Sequence, residues 1–414
     1  MKILFLTTRL PYPLDTGAKI RTWNLFRSAA GCHDVTLLAF LHSESDRRWL
    51  TTVQSLVPNV RIETVDHPDS RSRMARGWAM VRRLLSALPY TVVKYDAEAM
   101  RSRIETLIAQ GGYDLIHCDQ IHLAQYLIGR TDLPVVLNEH NIESSLLQRV
   151  AEVQRNPLLR RFYQIQQRKM EAYERTACAS SARVLTVSAM DRDRLAGLAP
   201  KAASSIVING VDTDYFRPAE AVPGPPNLVF TGLMNWMPNV EGVTFFIREI
   251  LPLVRRAAPD LRFNVVGRDP VASLFRATEK NHGVVVTGGV PDVRPWLAGA
   301  SVVVVPLLSG GGTRLKILEA MAMGKAVVST RIGAEGLDLE DGREICIADD
   351  PFKFAERTAS LLMDRAEAER IGRAARRRVE ESFDWRVAGR QLLEAYELAV
   401  QARGAKGFMD SARG

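Results

Sequence analysis

The sequence predicts an α/β protein made of two doubly wound parallel-sheet domains, each Rossmann-like. Short, continuous apolar runs of strand type alternate with helical patterns along the chain, as parallel strands covered by helices on both faces require. The alternation occurs as two successive series. The 414 residues, 46% hydrophobic and 25% charged, exceed what one core covers yet stay near the globular average, which excludes collagen, coiled-coil rods and long disorder.

In the first series strands are expected at Lys2–Thr7, Asp34–Phe40, Arg61–Val65, Leu115–Cys118, Pro134–Asn138 and Arg183–Val187. In the second they are expected at Leu228–Phe230, Arg262–Val266, Val284–Thr287, Ser301–Val305, Ala326–Ser329 and Ile345–Ile347. The run Glu220-Ala-Val-Pro-Gly-Pro-Pro-Asn227 breaks the composition and reads as the connector. The expected division is residues 1–205, residues 206–384, a helix over 385–402 capped by Asp384, and a flexible tail over 403–414.

No run approaches the roughly 20 apolar residues of a spanning helix, and the first residues are too short and wrongly flanked for a signal peptide. Cys32, Cys118, Cys178 and Cys346 are scattered, with no metal-ligand spacing, and read as reduced thiols in the cytoplasm. Residues 1–220 carry +6 of the net charge of +8. Much of the excess lies in 70–95, which has no acid but holds Arg71, Arg73, Arg76, Arg82, Arg83 and Lys94. There Met74, Trp78, Val81, Leu85 and Leu88 recur at helical spacing, the pattern of a basic amphipathic helix on the inner membrane face or of a core-facing helix with a solvated arginine side. No nucleic-acid module is present, so that partner is not expected.

Ligands of open parallel sheets bind beyond the carboxyl ends of the strands, so the loops there carry the candidate residues. After the first strand, Pro11 to Arg21 leads into a helix. Gly17 admits close backbone approach, free N–H groups suit an anion, and Lys19 and Arg21 add charge. After the fifth strand, Asn138-Glu139-His140-Asn141 is a polar cluster in which His140 suits a sugar hydroxyl or a proton shuttle. Ser188 reads as a helix cap. In the second series, Val302 to Thr330 runs from a buried strand through Gly310, Gly311, Gly312 and Thr313 into a helix bearing Arg314, Lys316 and Glu319. Glycine backbone at a helix start crowds an anion, the two cations suit a diphosphate, and Glu319 suits ribose hydroxyls. Gly232 and Asn235, Arg268, and Val290 follow the first three strands of this series, with Asn235 and Arg268 suited to phosphate or sugar and Val290 to a base.

Three segments together resemble the retaining, GT-B-fold glycosyltransferases of family 4: Gly310 to Thr330, the corner Ile208-Asn-Gly-Val-Asp-Thr-Asp-Tyr-Phe216, and Phe383-Asp384-Trp385. The resemblance spans Lys2 to Ala399. Pro11–Arg21 and Trp236-Met-Pro-Asn-Val-Glu-Gly242 are most similar to sugar transferases of bacterial exopolysaccharide clusters, including those accompanying exosortase systems. The resemblance implies a nucleotide-sugar donor held mostly by the second domain, a glycan or lipid-linked acceptor against the first, a final helix packed back on the first, retention of configuration, and neither metal nor cofactor. It implies that Glu319 meets the ribose, Gly311–Thr313 the donor sugar and diphosphate, His140 the donor sugar and Gly17 the phosphates. The chain departs from the family where the first of two glutamates falls at Gly311, where Gly232-Leu-Met replaces Gly-Arg-Leu, and where Glu241-Gly replaces Lys-Gly. Arg314, Lys316 and Arg268 then become the candidates for neutralising the leaving diphosphate. Two other readings share the fold: a nucleotide-sugar 2-epimerase, and a catalytically silent scaffold of a polysaccharide assembly complex.

Overall fold

The computed structural model describes residues 1–68, 86–154, 156–219, 224–278, 281–310 and 312–411, with side chains to 403. Two compact units make up the chain: Met1–Ile208 with Ala388–Gly414 (unit 1), and Asn209–Val387 (unit 2). The chain therefore changes unit after Ile208, not at the Pro/Gly connector, whose described residues 224–227 lie inside unit 2.

Unit 1 carries seven strands, β1 (Lys2–Thr7), β2 (Asp34–Leu41), β3 (Arg61–Asp66), β4 (Leu115–Asp119), β5 (Val135–Asn138), β6 (Arg183–Thr186) and β7 (Ser204–Ile206), in the order β3-β2-β1-β4-β5-β6-β7. All neighbours are parallel. The central strands read as unbroken apolar runs because both faces are covered, and Ile3, Leu4, Phe5 and Leu6 are fully buried. Between the strands run α1 (Gly17–Cys32), α2 (Glu98–Ala109), α3 (Glu143–Val153), α4 (Pro157–Ser180) and α5 (Ala189–Leu198). Thr16 caps α1 by accepting Lys19 N–H, and Ser188 caps α5 by accepting Asp191 N–H, the latter as read from the sequence. Asn156 caps α4 with Pro157 at its first position.

Unit 2 carries β8 (Asn227–Thr231), β9 (Arg262–Val266), β10 (Val284–Gly288), β11 (Val302–Val305), β12 (Val327–Ser329) and β13 (Cys346–Ile347), parallel in the order β10-β9-β8-β11-β12-β13. Its principal helices are α6 (Met237–Phe245), α7 (Leu315–Ala322), α8 (Pro351–Met363) and α9 (Arg365–Ser382). Then α10 (Trp385–Ser411) follows Asp384, whose carboxylate accepts Arg386 N–H at 2.8 Å. This helix runs past residue 402, where the sequence reading ended it. Gly404 and Gly407 weaken a helix interior by only about 1 kcal/mol each, whereas no proline interrupts it.

The four cysteines are free thiols, with Cys32 exposed and the other three buried. Residues 69–85 of the expected basic amphipathic helix lie outside the described residues. Its final part is a bend at 86–88 followed by a single helical turn, Tyr90–Val93, because Pro89 cannot continue a helix from before it. Among the described residues no helix is long and apolar enough to cross a membrane.

Candidate active site

In both sheets the strand order reverses beside the first strand of the unit, between β1 and β4 and between β8 and β11. The crevice beyond the carboxyl ends there is the expected ligand position in each.

In unit 1 the reversal point is occupied by Asp119, the last residue of β4 and fully buried. Its Oδ1 accepts His140 Nε2 at 2.9 Å and Asn138 Nδ2 at 2.7 Å, and its Oδ2 accepts Thr22 Oγ1 at 2.6 Å. Burial alone would raise this carboxyl, but the His140 charge and hydrogen bond, with His117 3.8 Å away, hold it far below the ordinary range. A carboxylate only accepts, so His140 carries its proton on Nε2 and a neutral ring leaves Nδ1 as an acceptor. Parallel pairing sets this geometry. Asp119 stands opposite Asn138 in the β4–β5 register, and His140 follows two residues later. Behind the pair, buried His117 stacks on Phe5 and meets Tyr396 Oη of α10 at 2.9 Å through Nδ1.

Arg21, expected at the ligand, is turned inward. It is 1% exposed, and it donates to Asn138 Oδ1 at 2.8 Å and to the Ile208 carbonyl at 2.9 Å. A buried guanidinium must be satisfied internally, and burial still lowers its pKa to about 10 against the opposing pull of Asp119. Lys19 is ion-paired with Asp15 at 3.1 Å, while Gly17 is exposed at the start of α1. Asn141 is half-buried beside His140.

Beneath the His140 loop lies a carboxyl cluster that the sequence did not reveal. Burial, with the Glu174 and Glu143 charges added, pushes Glu139 well above the ordinary carboxyl range. Burial likewise pushes Glu143 and Glu174 up to about 7 each. Glu174 accepts Ser144 N–H at 3.2 Å, and Cys178 Sγ stands 3.7 Å from Glu139 Oε1. Also missed were His42, His67 and His122, which gather round Tyr95 with His42 stacked on His67 at 4.2 Å between centroids. Each of the three follows a strand end by a few residues, which is the signal that could have drawn them in.

In unit 2 glycines make room for cations. Lys316, at the start of α7, extends to β8, where its Nζ donates to Asn239 Oδ1 at 2.8 Å and lies 3.9 Å above the Phe230 ring. A Cβ at Gly232 would stand 2.8 Å from that Nζ and 2.7 Å from Asn239 Nδ2, so a side chain there would displace the pair. Gly310 likewise leaves room for Arg314, whose Nη2 would be 2.9 Å from an added Cβ. Arg314 is buried and also donates to the Gly312 carbonyl at 2.7 Å. Among the described residues Lys316 has no ion pair. Burial first, then the Arg314 charge, hold its pKa well below the ordinary lysine value, with Glu319 opposing. Burial pushes Glu319, one turn on, up to about 7, with Lys316 opposing. The hydroxyls of Thr231 and Thr313 are buried without a partner among the described residues.

The loops after β8 and β9 are knitted together. Gly232 N–H donates to the Val266 carbonyl and Met234 N–H to the Arg268 carbonyl, and a Cβ at Gly267 would fall 1.6 Å from the Gly232 oxygen. Arg268 lies at the rim with 41% of its side chain exposed, Asn235 is exposed, and Val290 is half-buried after β10. Gly311 lies outside the described residues, so the cradle is seen from Gly310, Gly312 and Thr313 alone. Glu241, where the resemblance anticipates lysine, accepts Ser309 Oγ at 3.1 Å. Among the described residues no group of three or more His, Cys, Asp or Glu is arranged to hold a metal ion.

A half-buried ammonium met, among the described residues, by a neutral amide and a ring, beside a buried guanidinium and unused hydroxyls, has the chemistry that suits an anion. Comparisons with known proteins bear on the family and the fold. Residues 94–215 match the family described as Glycosyltransferase Family 4, and residues 225–364 match Glycosyl transferases group 1. A protein of Klebsiella pneumoniae, described as an uncharacterized 44.6 kDa protein in the cps region, is 22% identical over 92% of this chain and 96% of its own length. The MMP alpha-(1->4)-mannosyltransferase of Mycolicibacterium hassiacum is 28% identical over 70% of this chain and 72% of its own. The solved structure of Anabaena Alr3699/HepE in complex with UDP-glucose shares the fold at a TM-score of 0.66 and 14% identity, covering 96% of this chain and 99% of that one.

Proposed function

The chain belongs to the GT-B glycosyltransferases of family 4, and from that membership we propose that it moves a sugar from a nucleotide-sugar donor to a glycan or lipid-linked acceptor. On this reading the anomeric configuration is retained, no metal takes part, and the product is a bacterial exopolysaccharide or another cell-surface glycan. The relatives in a cps region and among mannosyltransferases support a carbohydrate product.

The observation that carries the reading is the Lys316 ammonium laid across Gly232 without a carboxylate partner among the described residues. Breaking the bond between the anomeric carbon and the phosphate oxygen builds negative charge on the leaving diphosphate. Lys316, Arg314 and the N–H groups entering α7 meet that charge with dipoles already in place, and Arg268 adds to them from the rim. The acceptor oxygen bonds to the anomeric carbon on the face the diphosphate leaves, and its proton passes to a phosphate oxygen. Glu319 accepts from the ribose hydroxyls, while the half-buried Val290 packs the base. In unit 1 His140, oriented by Asp119, is the polar contact to the reacting sugar.

Thermal unfolding against a panel of UDP-, GDP- and other nucleotide sugars tests the assignment. A cognate donor at about 100 times its dissociation constant should add roughly 2.7 kcal/mol. Lys316→Met should remove that gain. A protein indifferent to every donor would refute the reading and favour the silent scaffold.

A further inference from the structure

The hairpin of α3 and α4 ends in side chains that a monomer in water does not ordinarily display. Val153 is 64% exposed, Leu158 81%, Leu159 47% and Ile165 43%. Isolated exposed apolar residues are common, but four within thirteen positions at the end of α3 and in the first three turns of α4 are a concentration of the kind that marks interaction surfaces. The same stretch, residues 153–170, contains no acid and five bases: Arg155, Arg160, Arg161, Arg168 and Lys169. Arg160, Arg161 and Arg168 are exposed, and neither Arg161 nor Arg168 has a partner among the described residues. The helix base is firmly held, because Lys169 Nζ donates to the Ser86 carbonyl at 2.6 Å and Gln166 accepts Tyr90 N–H at 2.7 Å.

We propose that the α3–α4 tip is a membrane-docking element that seats unit 1 on an anionic bilayer surface. The leucines enter the headgroup layer and the arginines meet lipid phosphates, the division of labour by which interfacial helices bind. A second copy of the chain fits less well, since a two-fold contact through the tip sets arginines against arginines. Because α3 starts at Glu143, directly after His140 and Asn141, its eleven residues place the tip about 16 Å along the helix from the His140 loop. A lipid-borne acceptor is thereby delivered within one helix length of that histidine. This last consequence rests on the transferase reading, but the docking surface itself does not.

Sedimentation with vesicles tests the proposal on the full chain. The wild type should bind vesicles of phosphatidylcholine containing roughly a quarter phosphatidylglycerol, bind pure phosphatidylcholine far less, and release in high salt. Leu158→Asp and the pair Arg161→Glu with Arg168→Glu should each lower the bound fraction about tenfold or more. An aspartate at the second position of a helix is favourable, so Leu158→Asp should leave the unfolding midpoint unchanged or raised. Variants that sediment like the wild type, or equal binding to both vesicle types, would overturn the proposal. So would a concentration-dependent dimer in light scattering that Leu158→Asp abolishes. Nucleotide-sugar stabilisation, measured without vesicles, should be the same in all variants. Its absence with vesicle binding intact would sink the transferase reading alone.

Discussion

Asp119 in unit 1, a buried charge, and Lys316 in unit 2, a half-buried one, each stand at the carboxyl-end side of a parallel sheet, and they are held by opposite means. Asp119 is surrounded by side chains that donate to it, His140, Asn138 and Thr22, so its charge is balanced before anything binds. Lys316 rests on an amide, a ring and the space left by a glycine, and its charge stays uncompensated by any ion pair among the described residues. The first arrangement fixes one histidine in one orientation. The second, on the proposed transferase reading, stores electrostatic potential for an incoming diphosphate. Orientation is built from long-range side-chain bonds, and affinity for charge is built from backbone that keeps side chains away.

The difference can be broken at either end. His140→Ala should have the largest effect, lowering turnover about a thousandfold while nucleotide-sugar binding by calorimetry changes little. Unaltered turnover would detach the Asp119 network from the reaction. Next, Gly267→Ala should cost about 3 kcal/mol in thermal unfolding, because its methyl would occupy the Gly232 oxygen and pry the β8 and β9 loops apart. Third, Glu319→Gln should weaken nucleotide-sugar binding about 10- to 100-fold above pH 7. Ribose donors prefer the ionised carboxylate and Glu319 titrates near 7, so wild-type affinity should rise from pH 6 to 8 while that of the variant stays flat on this account.

The smallest effect concerns the cluster under His140, and here the sign opposes that of Asp119. Glu143 and Glu174 keep protons up to about pH 7 that the unfolded chain loses near 4.5, so their contribution is full below 4.5 and is lost as pH rises through 7. Asp119, depressed in the folded state, contributes above about pH 4 and is lost as pH falls below it. Glu174→Gln should therefore gain about 1 kcal/mol over the wild type at pH 8 and little at pH 5, read from urea midpoints at the two pH values.

Twelve of the strands could be read from the sequence, most of them because parallel strands buried on both faces show as short apolar runs, although the edge strands β3 and β10 contain no buried residue. The short edge strand β7 was visible only at its last residue, Ile206, since Ser204 and Ser205 are polar there. His140 was readable as a polar residue at a strand end, and Lys316 as a cation after glycines. What could not be read was partnership. Asp119 lies 97 residues from Thr22 and 21 from His140, and only the order β1-β4-β5 brings the three together. Arg21 was misjudged for the same reason, because nothing nearby in sequence announces that the Ile208 carbonyl lies 187 residues away at its guanidinium. Lys316 bridging to Asn239 and Gly232 depends on β8 and β11 being neighbours, although α7 follows β11 and β8 lies far upstream.

The closing stretch of α10 belongs to the unit that was begun first. Ala388, Leu392, Ala395, Tyr396 and Ala399 are fully buried in unit 1, and Tyr396 reaches His117 there. A ribosome delivers these residues only after all of unit 2. During synthesis, then, the earliest sheet waits with an open apolar seam and an unmet imidazole while the later one is made. The nascent protein is most vulnerable to proteases and to sticking partners in that interval.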